Sequence, residues 1–190
     1  MSASRRIVAI GILVSASILL SGCAVGATPG AGMMGSGPNY YSSKLNCKVP
    51  TNLKGNHVTV ILNDMGMTRM MGGIAPRTAH MRLMVLPRRI SVGVVSIIAE
   101  NLGWRTHELV ILPLATGQKA GSRVIGSDGK VTENGSVGEA SNNCGSGVGE
   151  GITAGNASWT TITLKPGRYE LICNLANHYA DGMYQELDVV

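Results

Sequence analysis

The 190-residue sequence contains no phenylalanine and only seven aromatic residues, two Trp and five Tyr. A core made from it must rest on aliphatic side chains, with the 10 methionines as flexible fillers in place of the missing rings. Charge is also scarce, at 14% of residues against 44% hydrophobic, and glycine is abundant at 26 residues. That combination excludes coiled coils and long helical bundles, which need charged helix formers and few glycines. No Lys/Arg-rich run with interleaved aromatics accompanies the pI of about 9.2, so nucleic acid is not the implied partner. The four cysteines, at 23, 47, 144 and 173, include no C-x-x-C pair, which excludes zinc knuckles, zinc ribbons and thioredoxin-type sites. The length suits one domain with a real core and is too short for two full ones.

What is present begins with an export pattern. Arg5 and Arg6 precede Ile7–Leu20, an uncharged stretch of 14 residues. A bilayer span needs about 20 apolar residues, so this stretch reads as the apolar region of a signal peptide over residues 1–22. Leu20-Ser21-Gly22-Cys23 resembles a bacterial lipobox, which implies lipidation of Cys23 as the mature N-terminus. Acyl chains there would anchor the protein, each buried methylene adding about 0.8 kcal/mol. The expected location is the outer face of the cytoplasmic membrane, or the periplasm or cell envelope. Residues 23–46 are rich in Gly, Ala, Ser and Pro without periodicity. They read as a flexible tether with a reach of roughly 25 Å.

A single domain is expected over 47–190. Short β-like runs alternate there with turn signals: His57–Leu62, Ala79–Leu86, Ile90–Glu100, Glu108–Leu112, Ser158–Leu164, Arg168–Cys173 and Met183–Val190. No amphipathic helix interrupts them, which predicts an antiparallel all-β sandwich or barrel. Ala115–Ala157 stands apart, with eleven glycines in 43 residues. A loop this long is functional or partly disordered, and it has room for a short hairpin.

The chemistry concentrates near the C-terminus. Cys173-Asn-Leu-Ala-Asn-His178-Tyr-Ala-Asp-Gly-Met183 reads C-x4-H-x4-M, and one loop thus presents a thiolate, an imidazole and a thioether. A further ligand must come from elsewhere, and His107, opening a strand after the Asn101–Trp104 turn, is the best candidate. Two His and one Cys with a weak axial Met form the ligand set of a mononuclear blue-copper site. Thiolate and thioether suit Cu(I) and imidazole suits Cu(II), so one fixed site tolerates both oxidation states. No general base, nucleophile or open metal position supports an enzyme or a small-molecule substrate.

The segment Tyr169–Met183 resembles the copper loop of cupredoxins, and its spacing is most similar to the rusticyanin and sulfocyanin branch. Val92–Gly103 with Thr106–Val110, and Ile152–Ser158 with Leu164–Tyr169, resemble other elements of that family. The resemblance implies a Greek-key β-sandwich and single-electron transfer between redox proteins. It also implies one copper held by His107, Cys173 and His178, with Met183 as axial ligand. Two departures stand out. Glu108 follows the first histidine where Asn or Ser is common, and Asn174-Leu-Ala-Asn177 replaces a frequent Pro-Gly. With no second cysteine in the loop and no histidine flanking Cys173, neither a binuclear centre nor a multicopper oxidase site can be built.

Other features leave choices open. Met65, Met67, Met70 and Met71 are either core packing or a secondary Cu(I) site, and the latter would make the protein a copper chaperone or sequestration module. His57 and His80 read as surface or hydrogen-bonded structural residues. Cys47 and Cys144 remain after lipid and copper are assigned, and an oxidising compartment predicts a disulfide between them. Residues 23–99 carry +7, with Asp64 as the lone acid, whereas residues 100–190 carry −4. The basic half is either a solvated face or a docking surface for an acidic redox partner or anionic headgroups.

Overall fold

The period of two in the run after His57 sorts its side chains: Val58, Val60 and Leu62 are fully buried, and the residues between them face outward. The computed structural model describes residues 45–64 and 81–190. Cys23, the signal and nearly all of the tether, Met65, Met67, Met70, Met71 and His80 lie outside the described residues. Within them the chain forms strands and no helix: β1 (Asn56–Asp64), β2 (Met81–Leu86), β3 (Arg89–Ile90), β4 (Gly93–Asn101), β5 (Leu109–Leu114), β6 (Gly138–Ala140), β7 (Gly145–Ser146), β8 (Ala157–Leu164), β9 (Gly167–Ile172) and β10 (Tyr184–Val189). Each of the seven expected runs contains a strand, but Ile90–Glu100 is split, with Ile90 in β3 of one sheet and β4 beginning at Gly93 in the other.

Two five-stranded sheets face each other, in the orders β2-β1-β4-β8-β7 and β3-β10-β9-β5-β6. The sandwich is as expected, but the sheets are mixed rather than purely antiparallel. β1 with β4, β3 with β10, and β7 with β8 run parallel. The cause is the route of the chain, which changes sheet after β2, β3, β4, β6 and β8. β4 therefore returns to lie beside β1 after an excursion through the other sheet, and it arrives in the same direction.

Between the sheets lies an aliphatic core of residues such as Val60, Leu62, Val85, Ile97, Ile111, Leu171 and Leu187, with Met81 and Met183 among them. Each fully buried Val, Leu or Ile contributes about 1.5–3 kcal/mol. A second, smaller cluster (Val110, Leu112, Val131, Ile172 and Tyr179) sits on the outer face of β5 and β9. Leu109–Leu112 is thus buried on both faces, which is why it reads as an unbroken apolar run rather than an alternating one.

The glycine-rich stretch 115–157 provides that second cover. It supplies β6, which pairs with β5, and β7, which pairs with β8. A small hairpin also closes at the Ile125–Val131 bridge. The expected disulfide is present: Cys47 and Cys144 are bonded across a sequence separation of 97, with Cα atoms 5.4 Å apart. It fastens a strap, residues 45–55, that runs over the first sheet. Asn46 N–H bonds to Gly155 O at 2.7 Å and Ser96 Oγ donates to Lys54 O at 2.7 Å. His57 Nε2 lies 2.9 Å from Leu53 O, a hydrogen-bonded structural role as expected.

Candidate metal centre

His107 enters the site from the start of the β5 side. A two-way backbone bridge to Ile152, at 3.0 and 2.7 Å, fixes its main chain. Cys173 lies just past the end of β9 and Met183 just before β10, and Cys173 N–H bonds to Met183 O at 3.0 Å. The intervening residues are wound tightly by internal bonds, His178 N–H to Leu175 O and Met183 N–H to His178 O among them. The C-x4-H-x4-M spacing thus becomes a closed loop on a hairpin stem, with Cys173 and Met183 both fully buried in the core.

The structure brings three donor atoms together in the interior. His107 Nδ1 and His178 Nδ1 are 3.2 Å apart, Cys173 Sγ is 3.3 Å from His178 Nδ1, and Cys173 Sγ is 3.9 Å from His107 Nδ1. A point in the plane of this triangle lies about 2.0 Å from all three atoms, which is metal–nitrogen distance and close to metal–sulfur distance. Among the described residues, this is the one group of His, Cys, Asp or Glu side chains set to hold a metal ion. Soft sulfur and two imidazoles are the donor types a copper ion takes, so residues and geometry fit the group.

The electrostatics agree. Burial pushes the Cys173 thiol up to about 12, so without a metal it keeps its proton, and loading a cation releases that proton. Two backbone N–H groups, of Glu108 at 3.3 Å and of Leu175, point at the sulfur and favour its thiolate. Burial, then the neighbouring His107, lower His178 to about 4, leaving a neutral imidazole at neutral pH.

Asp64, at the end of β1, was not singled out as a site residue by its sequence context. Its carboxylate lies 3.5 Å from His107 Nε2 and accepts the backbone N–H groups of Trp104 and Arg105. Burial pushes the Asp64 carboxyl up, but His107 and those N–H groups outweigh it and hold it below the usual carboxylate value. Such an arrangement turns the far edge of the imidazole toward the site. It requires a glycine at 103, where a Cβ would sit 1.9 Å from Asp64 Oδ1. The available signal was that Asp64 is the lone acid in an otherwise basic half.

Glu108 meets the site through its main chain, whose N–H points at Cys173 Sγ, while its carboxyl is buried. Burial raises it to about 7, and its Oε1 has no hydrogen-bond partner. On the other side, the His178 ring is 8% exposed. It borders a surface cavity of about 440 Å³ lined also by Arg105, Ala176, Asn177, Ala180 and Asp181.

Compared with known families, residues 77–190 match the sulfocyanin (SoxE) domain. No curated protein matches the sequence. Among solved structures, rusticyanin from Thiobacillus ferrooxidans is similar at 17% identity and a TM-score of 0.41, over 77% of this chain and 88% of that one. Reduced rusticyanin aligns at 15% identity and a TM-score of 0.41, over 77% and 90%. Auracyanin from Roseiflexus castenholzii aligns at 16% identity and a TM-score of 0.37, over 56% and 86%.

Proposed function

The chain belongs to the sulfocyanin family and is a copper electron-transfer protein; from this we propose that His107, Cys173 and His178 hold one copper ion, with Met183 supplying a weak thioether ligand. The observation that carries the assignment is the buried triangle of two imidazole nitrogens and one sulfur about 2.0 Å from a common point. Bound there, copper supplies a one-electron couple. The residues do the rest. Cys173 gives up its proton on loading, Glu108 and Leu175 N–H groups hold the sulfur, and Asp64 holds His107. His178, the ligand ring beside the surface cavity, is the electron exit.

Its partners are redox proteins. We read Arg105 at the exit as favouring acidic ones. The export pattern at residues 5–23 supports lipidation at Cys23 and a working place outside the cytoplasmic membrane, tethered by 23–46. A carrier keeps one copper and cycles its charge, whereas a chaperone exchanges the ion. Metal analysis with voltammetry of the purified protein decides between them. One tightly held copper with a reversible one-electron wave is expected; two or more labile Cu(I) ions and no such wave would overturn the carrier reading.

A further inference from the structure

The glycine-rich stretch does more than cover the second sheet. Asn174, the residue after Cys173, is 1% exposed, and its side-chain amide pairs with both backbone polar groups of one residue of that stretch, Val131. Oδ1 accepts Val131 N–H at 2.8 Å and Nδ2 donates to Val131 O at 2.9 Å, with a further bond from Nδ2 to Glu133 at 2.7 Å. Three residues on, Asn177 N–H donates to Gly129 O at 2.8 Å, and Asn177 itself holds a positive φ of 70°. Gly129 has a φ of +77°, and a Cβ there would stand 2.7 Å from Asn177 Oδ1 and 3.0 Å from its backbone nitrogen, so glycine alone fits.

A third grip reaches the residue after His178. Tyr179 is 2% exposed; its hydroxyl donates to Glu170 at 2.9 Å and accepts Arg123 N–H at 3.1 Å. Glu170 is fully buried and is paired by Arg123 Nε at 2.5 Å and by Gly121 N–H at 2.6 Å. The gripping segment is itself a closed turn, with Gly126 N–H bonded to Lys130 O at 2.7 Å and Gly129 N–H to Gly126 O at 3.0 Å. Its contacts fall at 174, 177 and 179, so they bracket His178 and begin at the residue directly after Cys173.

We infer that residues 121–133 are a clamp that sets the Cys173–Met183 loop in its ligand geometry before any metal is bound. The inference deepens the copper reading and rests on it for its purpose. A loop held from outside keeps sulfur and imidazole in one arrangement for both oxidation states, which a loop held by the metal alone would not. Asn174 and Tyr179 are positioning residues in this scheme.

The test is amide hydrogen exchange on the metal-free full chain, followed by the visible spectrum after copper loading, for wild type, Asn174→Ala and Tyr179→Phe. Asn174→Ala strands both polar groups of Val131 in a buried position. Exchange at residues 175–183 should quicken by on the order of tenfold or more while β1 and β4 amides keep their protection. The thiolate-to-copper band of the loaded variant should shift and broaden. Tyr179→Phe removes only the hydroxyl, so it should quicken exchange by a few-fold, confined to 178–183. If Asn174→Ala does not fold, Tyr179→Phe decides alone. Unchanged loop protection together with an unchanged band overturns the clamp. A wild-type loop that exchanges freely until copper is added overturns it as well. A wild type with a protected loop that takes up no copper would instead overturn the function proposed above and leave the clamp standing.

Discussion

His107 is delivered by sheet, whereas Cys173, His178 and Met183 are delivered by a loop, and the two sides are secured differently. The His107 side depends on long-range pairing: β1 beside β4, the bridge to Ile152, and the Asp64 carboxylate behind the ring. That ring is fully buried. The loop side depends on internal turns and on hydrogen bonds from a glycine-rich segment some 45 residues earlier, and its His178 edge meets the surface. One side is thus a sealed frame, and the other is a clamped door through which charge passes.

The sharpest break in that comparison is to remove each imidazole in turn. His107→Ala and His178→Ala should both abolish the thiolate-to-copper band. Added imidazole should restore it in His178→Ala, because the vacated position opens on the 440 Å³ cavity, and should fail in His107→Ala, whose site is closed. Equal rescue of both would show that the two sides are not differently sealed. Next in size is the disulfide that fastens the strap. Cys47→Ser with Cys144→Ser should lower stability by about 2–5 kcal/mol while leaving the copper band in place. Denaturant unfolding and the visible spectrum read the two effects separately, and loss of the band would tie the strap to the site.

Asp64→Ala should weaken copper binding by about 10–100-fold, since the His107 ring loses the partner that orients it. Competition with a chelator of known affinity measures this, and an unchanged constant removes Asp64 from the site. The smallest effect is on the loop's stem, where Arg168 bonds Glu186 through two nitrogens at 2.6 and 2.5 Å. Both side chains are partly exposed, at 36% and 24%, so solvent screening leaves Glu186→Gln only a small loss of stability. Arg168 holds the Glu186 carboxyl below its usual value, so the pair stabilises the fold above the ordinary glutamate range and stops doing so as pH falls through the lowered value. The difference between wild type and variant should therefore be largest at neutral pH and vanish in acid.

How far the sequence announced these features follows from their range. The loop donors were legible because Cys173, His178 and Met183 lie within eleven residues, and spacing alone puts them on one turn. His107 was legible through its place at the start of an apolar run. Asp64 was not, because it meets His107 only through strand pairing across 43 residues, which no local period reveals. The partners of Asn174 were equally hidden: Val131 and Glu133 sit in a stretch whose composition reads as loop, although its glycines serve close approach and tight turns. The parallel pairing of β1 with β4 was missed for the same reason, since alternation reports a strand's faces but not its neighbour.

The central claim is that Cys173 is the thiolate of a single mononuclear copper site. It is tested most directly by titrating Cu(II) into the metal-free protein and into Cys173→Ser while recording the visible spectrum. The wild type should develop an intense sulfur-to-copper band that saturates at one equivalent, and Cys173→Ser should develop none. A Cys173→Ser spectrum identical to that of the wild type would contradict the account.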